Sequence, residues 1–559
     1  MISIQGKGVS TGVAIGPLYF YRRAKSTIRR YKVEDKEIEW ARFKAAQNKA
    51  IDQLGELAEK ARVEAGDDAA FLFETHQMMA EDVDYEEAIA SGIKEDGLNA
   101  DAVVTDVGQQ FAEMFANMDD AYMSARAADV KDVSSRIINI LSGVVQGGID
   151  SDVPVILAAD DLAPSETVQL DKSKILGFIT SGGSGSSHTA ILARTMGIPA
   201  IIGVGDQIKE EHEGREVIVD GGTGHIVIDA DADTREYMVQ KRKEQIKKQE
   251  LLNQLKSLPN ITKDGQTMRV YCNIGNPEDV HSVLANDGGG IGLFRSEFLY
   301  LNCDDYPTEE YQFEAYKQVL SDMDGKEVVI RTCDIGADKM IDYFQLPKED
   351  NPALGNRALR ICLNRPEMFK TQLRALYRAS AFGKLSIMFP MVTSVWEVKE
   401  AKKLCEQVKI ELTKEGKPFS EDVQIGIMIE TPAAAVVSDR LAKVVDFFSI
   451  GTNDLTQYTL ACDRQNNDLG RFFNPHHPAV LRLIKMVCEN AHKEGCWCGI
   501  CGELGADLEL TETFLSFGID ELSVSPRAVL PLRQKIRETT VSEVRDALIN
   551  DLMSDVIAI

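Results

Sequence analysis

MRVYCNI (268–274), GIGLF (290–294), VVIRTCD (328–334), LSIMFPMV (385–392), IGIMIE (425–430), FFSIG (447–451), CWCGIC (496–501) and ELSVS (521–525) are eight strand-type runs in the last part of the chain. Most are separated by segments of helical periodicity. Eight strand–helix units over this length predict a (β/α)8 barrel, a fold that takes about 250 residues plus insertions.

Barrel sites form at the C-terminal ends of the strands, and here those ends carry chemistry. Arg295 closes the second run, Arg331 and Asp334 the third, and Glu430 the fifth. Asn453 and Asp454 follow the sixth and Cys501 closes the seventh, with Arg464 just beyond the sixth and Arg357 after the NPALG turn. Guanidinium groups grip phosphate and carboxylate oxygens in pairs. Two carboxylates, Glu430 and Asp454, suit Mg²⁺ with substrate oxygens completing its shell. The set points to phosphoryl chemistry, in which positioning and charge neutralisation dominate. Structural salt bridges around a barrel rim account for any one of these residues, but less well for their convergence at one mouth.

Upstream, residues 231–257 are strongly charged and helical and end before Pro259, as a connecting helix would. From residue 153 the runs VPVILAA, KILGFIT, IPAIIGV, EVIVDG and HIVIDA, with a helix at TAILARTMG, predict a small α/β domain. Residues 34–65, 69–95, 99–118 and 122–145 carry apolar residues at three- and four-residue spacing and predict four helices. The first twenty residues read as a short strand plus turns.

A formal net charge of −26 argues against nucleic acid as a partner, since neutralising phosphates takes clustered Lys and Arg. A basic protein partner is compatible with it. The start, MISIQGKGVSTGVAIG, lacks the pattern of a signal peptide, and no apolar run approaches the ~18 residues of a membrane span. Ten scattered cysteines read as reduced thiols in a cytoplasmic protein.

Of eight histidines, His188 stands apart. A Gly/Ser turn, Gly182-Gly183-Ser184-Gly185-Ser186-Ser187, leads straight into it and then into an apolar-periodic helix. Unpaired N–H groups at such a helix start favour a phosphate, and neutral imidazole is a competent nucleophile.

These segments together resemble the enzyme I family of the bacterial sugar phosphotransferase system. GSSHTAILARTMGIPAIIG is similar to the phosphohistidine motif of phosphoenolpyruvate (PEP)-utilising enzymes. GGIGLFRSEFLYL, VVIRTCDIGADK, NPALGNRALRICL, MIETPAAA, SIGTNDLTQYTLACDR and GICGELGAD resemble that family's PEP-binding barrel. FETHQMMAED and ARAADVKDVSSRI are similar to its carrier-docking part.

The resemblance implies a multidomain α/β protein. A phosphohistidine domain (1–20 and 146–230) would contain an inserted α-helical domain (21–145) that binds the phosphocarrier protein HPr. A linker helix (231–258) would lead to a PEP-binding TIM barrel (259–559) that dimerises. It further implies that His188 takes the phosphoryl group and that Arg295, Arg331, Arg357, Asn453, Asp454 and Arg464 bind PEP. Glu430 and Asp454 would hold Mg²⁺, and Cys501 would protonate the enolate. The acidic stretch 64–96, whose only Lys or Arg is Lys94, would meet an electropositive carrier around Phe71, Phe73, Met78 and Met79.

The chain departs from the family pattern at Ser184–Ser187, at QNNDLGRFFNPHHP after Arg464, and at GELGAD after Cys501. A PEP synthase or dikinase would need an ATP-binding domain that the first 150 residues do not resemble. A lyase or aldolase barrel leaves His188 without a purpose. A catalytically weak PEP- or carrier-binding regulator is disfavoured by the intact His188, Cys501 and arginines.

Overall fold

Residues 1–20 build three strands where the sequence suggests one: β1 (Ile2–Gln5), β2 (Lys7–Ser10) and β3 (Val13–Phe20). They join β4 (Val155–Ala159), β5 (Ile175–Thr180), β6 (Ala200–Ile202), β7 (Glu216–Asp220) and β8 (His225–Ile228) in one eight-stranded sheet of order β1-β8-β7-β3-β4-β5-β6-β2. Closely spaced glycines hide these strands from periodicity, because β1 and β2 are four residues long and the partners of all three lie well over 100 residues away. The computed structural model describes all residues other than 23–27, 66, 117–120, 144–148, 150, 161, 163–165, 167–169, 184–188, 191–192, 194–195, 302, 304, 337–340, 465 and 554–559.

β3 and β4 are parallel neighbours, with Leu18 opposite Ile156. A parallel pair needs a crossover, and here a helical block serves as one: α1 (Lys36–Ala65), α2 (Asp67–Ala80), α3 (Val83–Lys94), α4 (Ala100–Ala116) and α5 (Ala121–Leu141). The predicted helix over 69–95 is in fact two. Asp82 breaks it, leaving the helical region (ψ 130°) and accepting a bond from Tyr85 N, which caps α3. The core of the block includes Phe43, Leu54, Phe73, Ile89, Val104 and Ile137.

The helix α6 (Ala232–Asn253) follows, and the chain divides into two compact units, Met1–Lys248 and Gln249–Ile559, with the boundary inside α6. In the second unit all eight predicted strands form: β9 (Arg269–Ile274), β10 (Ile291–Arg295), β11 (Val328–Arg331), β12 (Leu385–Phe389), β13 (Gln424–Ile429), β14 (Phe447–Ile450), β15 (Trp497–Ile500) and β16 (Glu521–Val524). They close into an all-parallel barrel, β16 pairing back onto β9.

Alternate residues along each strand face the barrel axis or the helices around it. Outward residues such as Val270, Ile330, Ile387, Phe448 and Cys498 enter one large buried core with the helices. Inward residues Leu293, Val329, Met388, Met428, Phe447 and Cys501 pack on one another, with Trp497 against them. Trp497 stacks on Phe447 at 4.4 Å with Arg269 over its ring, so the N-terminal end of the barrel is plugged by side chains. Among the described residues no helix is long and apolar enough to cross a membrane.

Candidate active site

The C-terminal ends of the barrel strands open into a cavity of about 1280 Å³ lined by Arg295, Arg331, Asp334, Arg357, Glu430, Asn453, Asp454, Arg464 and Cys501 among others. Every barrel residue singled out from the sequence is therefore on one wall or another of a single cavity.

Parallel register sets the two central cations. Arg295 ends β10 and is paired with Arg331, which ends β11. Two guanidinium groups side by side repel, and Arg295 shows it: burial, then Arg331, pulls its pKa below the ordinary value although its surface is open to the mouth. Arg331 is buried, with Nη2 3.0 Å from Glu297 Oε2 and Nη1 3.1 Å from Asp334 Oδ2. Burial works against its charge, but Glu297, Asp334 and Glu430 outweigh it and raise its pKa. Arg357 donates to Asp334 Oδ1 through Nη2 (2.8 Å) and Nε (3.3 Å), so Asp334 is shared between two arginines.

Glu430 follows β13 and is almost wholly buried. One oxygen accepts a 2.6 Å bond from Met391 N, whose residue holds φ at +57°, a conformation few side chains adopt. Burial, then Asp334 and Asp454, raises the Glu430 pKa. Asp454 sits in the first turn of the helix Thr452–Leu460, where the helix dipole favours negative charge. Its Oδ1 is 3.8 Å from Arg464 Nη2. Three mutually repelling acids at one mouth form a donor set that a hard divalent cation relieves. Asn453 Oδ1 accepts from Glu503 N (2.9 Å) and so ties the loop after β14 to the loop after β15.

Cys501 directly follows β15, with its N–H on Ile450 O (3.1 Å). Its side chain points into the barrel, and burial pushes the thiol pKa up to about 12, Ser449 opposing and Glu521 and Glu430 adding to the rise. Such a thiol stays protonated at neutral pH. Cys498 faces the opposite way, into the shell of helices, so the two ends of the CxxC spacing lie on different faces.

One acid of the site, Glu297, carries weight that its sequence position alone did not show. Glu297 accepts from Asp334 N (3.1 Å) and pairs with Arg331. The signal was present in the spacing, since Glu297 lies two residues beyond Arg295 and faces the same cavity. Asp334 was visible as a strand-end acid, but its sharing by two arginines is a tertiary fact. His476 also borders the cavity, 2.6 Å from Asp507. His188 lies outside the described residues.

In the helical block Phe73 is buried in the core and is not available to a partner, unlike the expectation; side chains before it, Phe71 among them, fall outside the described set. Met78 and Val83 are exposed, and Glu81, Asp82, Asp84 and Glu87 surround them in sequence on the surface.

Comparison with known proteins agrees with this geometry. Residues 249–541 match the PEP-binding domain of PEP-utilising enzymes, residues 5–126 their N-terminal domain and residues 152–224 their mobile domain. The chain is 42% identical over 544 residues to phosphoenolpyruvate-protein phosphotransferase of Staphylococcus carnosus, covering 97% of this chain and 95% of that protein. The figures are the same for its counterpart in Bacillus subtilis. A solution structure of an Enzyme I protein is 36% identical, over 43% of this chain and 98% of that one, with a TM-score of 0.38. Matched almost end to end by the Staphylococcus carnosus and Bacillus subtilis proteins, this chain belongs to the phosphoenolpyruvate-protein phosphotransferase family of PEP-utilising enzymes.

Proposed function

We propose that this enzyme moves the phosphoryl group of PEP onto His188, releases pyruvate, and passes the group to the histidine of the phosphocarrier protein HPr. The observation that carries the barrel half of this reading is the cavity that joins Arg295, Arg331 and Arg464 to Glu430 and Asp454. The arginines bind phosphate and carboxylate oxygens, with Arg331 held rigid by Glu297 and Asp334. Arg357 acts with them, anchored on Asp334. Asn453 and Asp454 complete the substrate contacts. Glu430 and Asp454 would hold Mg²⁺, which neutralises charge on the transferring group.

In domain terms, residues 1–20 with 146–230 carry the phosphohistidine, 21–145 dock the carrier, 231–258 link, and 259–559 bind PEP and form the homodimer. The exposed pair Met78 and Val83 amid acids supports a docking face for an electropositive carrier. The protein acts in the cytoplasm, without nucleic acid or membrane.

Incubation of the protein with PEP labelled in the phosphoryl group tests the whole reading. Label is expected on a histidine, acid-labile and base-stable, without ATP, and it is expected to chase onto added carrier. Omission of Mg²⁺ is expected to stop labelling, and Glu430→Gln to raise the Mg²⁺ concentration required. Labelling that ignores both Mg²⁺ and Glu430→Gln rejects the cation site.

Cys501 is assigned the proton that converts the enolate left by phosphoryl departure to pyruvate. Cys501→Ala is therefore expected to slow net pyruvate formation by roughly 100-fold or more, the usual weight of a general acid. Phosphate exchange between His188 and the carrier is expected to stay within a factor of about two, since that step does not involve the barrel mouth. Cys498→Ala, on the outer face, is expected to leave both rates unchanged. Equal damage from the two substitutions, or stoichiometric tightly bound zinc, overturns the assignment in favour of a paired-cysteine site.

A further inference from the structure

Beneath Cys501 the barrel interior holds an acid that the reading above does not use. Along β15, Trp497, Gly499 and Cys501 share the inward face. The inward position one step below Cys501 is thus Gly499, which has no side chain. A Cβ built there would lie 2.1 Å from Glu521 Oε2. Gly292 of β10 leaves a second gap: a Cβ there would lie 2.3 Å from Glu521 Oε1 and 2.6 Å from Ser523 Oγ. Two glycines on different strands therefore make the chamber that the Glu521 carboxyl fills. Same-face neighbours on a strand are about 7 Å apart, so the carboxyl sits roughly one bridging group below the thiol.

The chamber favours the neutral acid. Glu521 is fully buried, and neither carboxyl oxygen has a hydrogen-bond partner among the described residues. The charged groups facing it are Arg269, Glu327 and Asp520, and burial with the two acids outweighs the arginine. Arg269 is engaged elsewhere, 4.3 Å over the Trp497 ring and 3.8 Å from Glu327. Glu327 is itself held by Tyr271, Lys384 and Ser386. Tyr271, Cys272 and Cys498 also sense Glu521, and burial keeps all three protonated. An enclosed carboxylate without donors is costly, so the proton stays on Glu521.

Two serine hydroxyls border the chamber, and like the Glu521 oxygens neither Ser449 Oγ nor Ser523 Oγ has a hydrogen-bond partner among the described residues, so both are free to turn. Ser523 Oγ reaches the same chamber, and Ser449 lies beside the Cys501 thiol. Asn273 Nδ2 holds the frame together by donating to Cys501 O (3.0 Å) and Ser523 O (3.2 Å).

We propose that Glu521 is the proton reservoir that recharges Cys501 from inside the barrel. The inference rests on the proton-donor role of Cys501. In the first step the S–H bond breaks as a C–H bond forms on the enolate carbon, giving pyruvate and a thiolate. The Glu521 O–H then breaks, and its proton passes to the thiolate by way of the Ser523 hydroxyl, which turns to accept it and gives up its own proton to re-form S–H. The carboxylate regains a proton that enters from bulk water past Arg269 and Trp497, the half-buried side chains that close the floor of the barrel. No electrons are exchanged and water is the one external participant. Supply from below lets the thiol recover while product or the next substrate fills the mouth.

The test is rapid-quench measurement of pyruvate from full-length Glu521→Gln with PEP, Mg²⁺ and excess carrier. The first equivalent is expected at the wild-type rate, because Cys501 begins each experiment protonated. Later turnovers are expected to fall by about tenfold or more, as for loss of a proton-transfer group, with a larger solvent isotope effect and an unchanged KM for PEP. A steady rate equal to wild type, or a first equivalent slowed as much as later ones, overturns the proposal. Cys501→Ala separates the two readings: a slowed first equivalent upholds the donor role, and an unaffected one defeats that role and the reservoir with it. If Glu521→Gln lowers the melting temperature sharply, Ser523→Ala decides instead. It removes a bridging hydroxyl and no charge, so a burst followed by slower turnover supports the relay and wild-type turnover rejects it.

Discussion

Replacing His188 by alanine is expected to abolish labelling of the protein by PEP entirely, leaving the melting temperature of the barrel and its binding of PEP unchanged. The reason is chemical: a nucleophilic imidazole has no substitute in a methyl group. Of the other seven histidines, His281 is exposed on the helix Asp279–Ala285 of the barrel, and the remaining six are engaged elsewhere. His76 is buried 3.2 Å from Asp129, and Nδ1 of His212 accepts from Lys209 N. His225 bonds Ser3 Oγ, His476 pairs with Asp507, His477 caps a helix by accepting from Ala479 N, and His492 pairs with Asp520. Phosphopeptide mapping after brief exposure to labelled PEP reads the outcome. Residual label in the variant, or label at His76 or His225, would move the nucleophile elsewhere.

Arg331→Met is expected to be nearly as damaging, through two effects. It takes a guanidinium from the floor of the mouth, and removal of one preorganised contact to developing charge costs roughly 100- to 1000-fold in rate. It also strips Glu297 and Asp334 of a buried partner, and breaking such a pair costs about 3–5 kcal/mol of stability. Arg331→Lys keeps the charge without the two-pronged fork and is expected to recover stability more than rate. Single-turnover labelling and thermal melting separate the two effects. A labelling rate within about tenfold of wild type for Arg331→Met falls below the loss of even one such contact and would remove Arg331 from the PEP site.

The barrel was legible because each strand is an apolar run and the reactive residues follow at its C-terminal end. Knowing that an end such as Arg331 or Glu430 exists is enough to place it at the mouth of a closed parallel barrel. What sits beside it is another matter. The sharing of Asp334 by Arg331 and Arg357, and the service of Glu297, depend on register between strands whose pairing no local pattern records. The helical block shows a similar limit. The three- and four-residue spacing continues through Glu81 and Asp82, so periodicity joined α2 to α3, whereas the cap at Asp82 separates them. Phe73 looked like a surface anchor because it stands among acids, yet its own face of α2 turns to the core. Glu521 gave no sign at all; it reads as the polar first residue of a strand, and its isolation arises from glycines on β10 and β15.

The placing of the whole helical block between β3 and β4 has a consequence for how the chain is made. β3 leaves the ribosome early, but its two partners are β4 and β7, and β1 waits for β8. The small sheet therefore cannot be completed until Ile228 has been synthesised, while α1 to α5 carry their own core and are complete by Leu141. At about 5–20 residues per second, the first strands wait roughly 7–45 s for their partners, and the folded helices meanwhile bring Phe20 and Val155 closer than a free chain would. Helices fold first, and the sheet closes around the chain's own beginning.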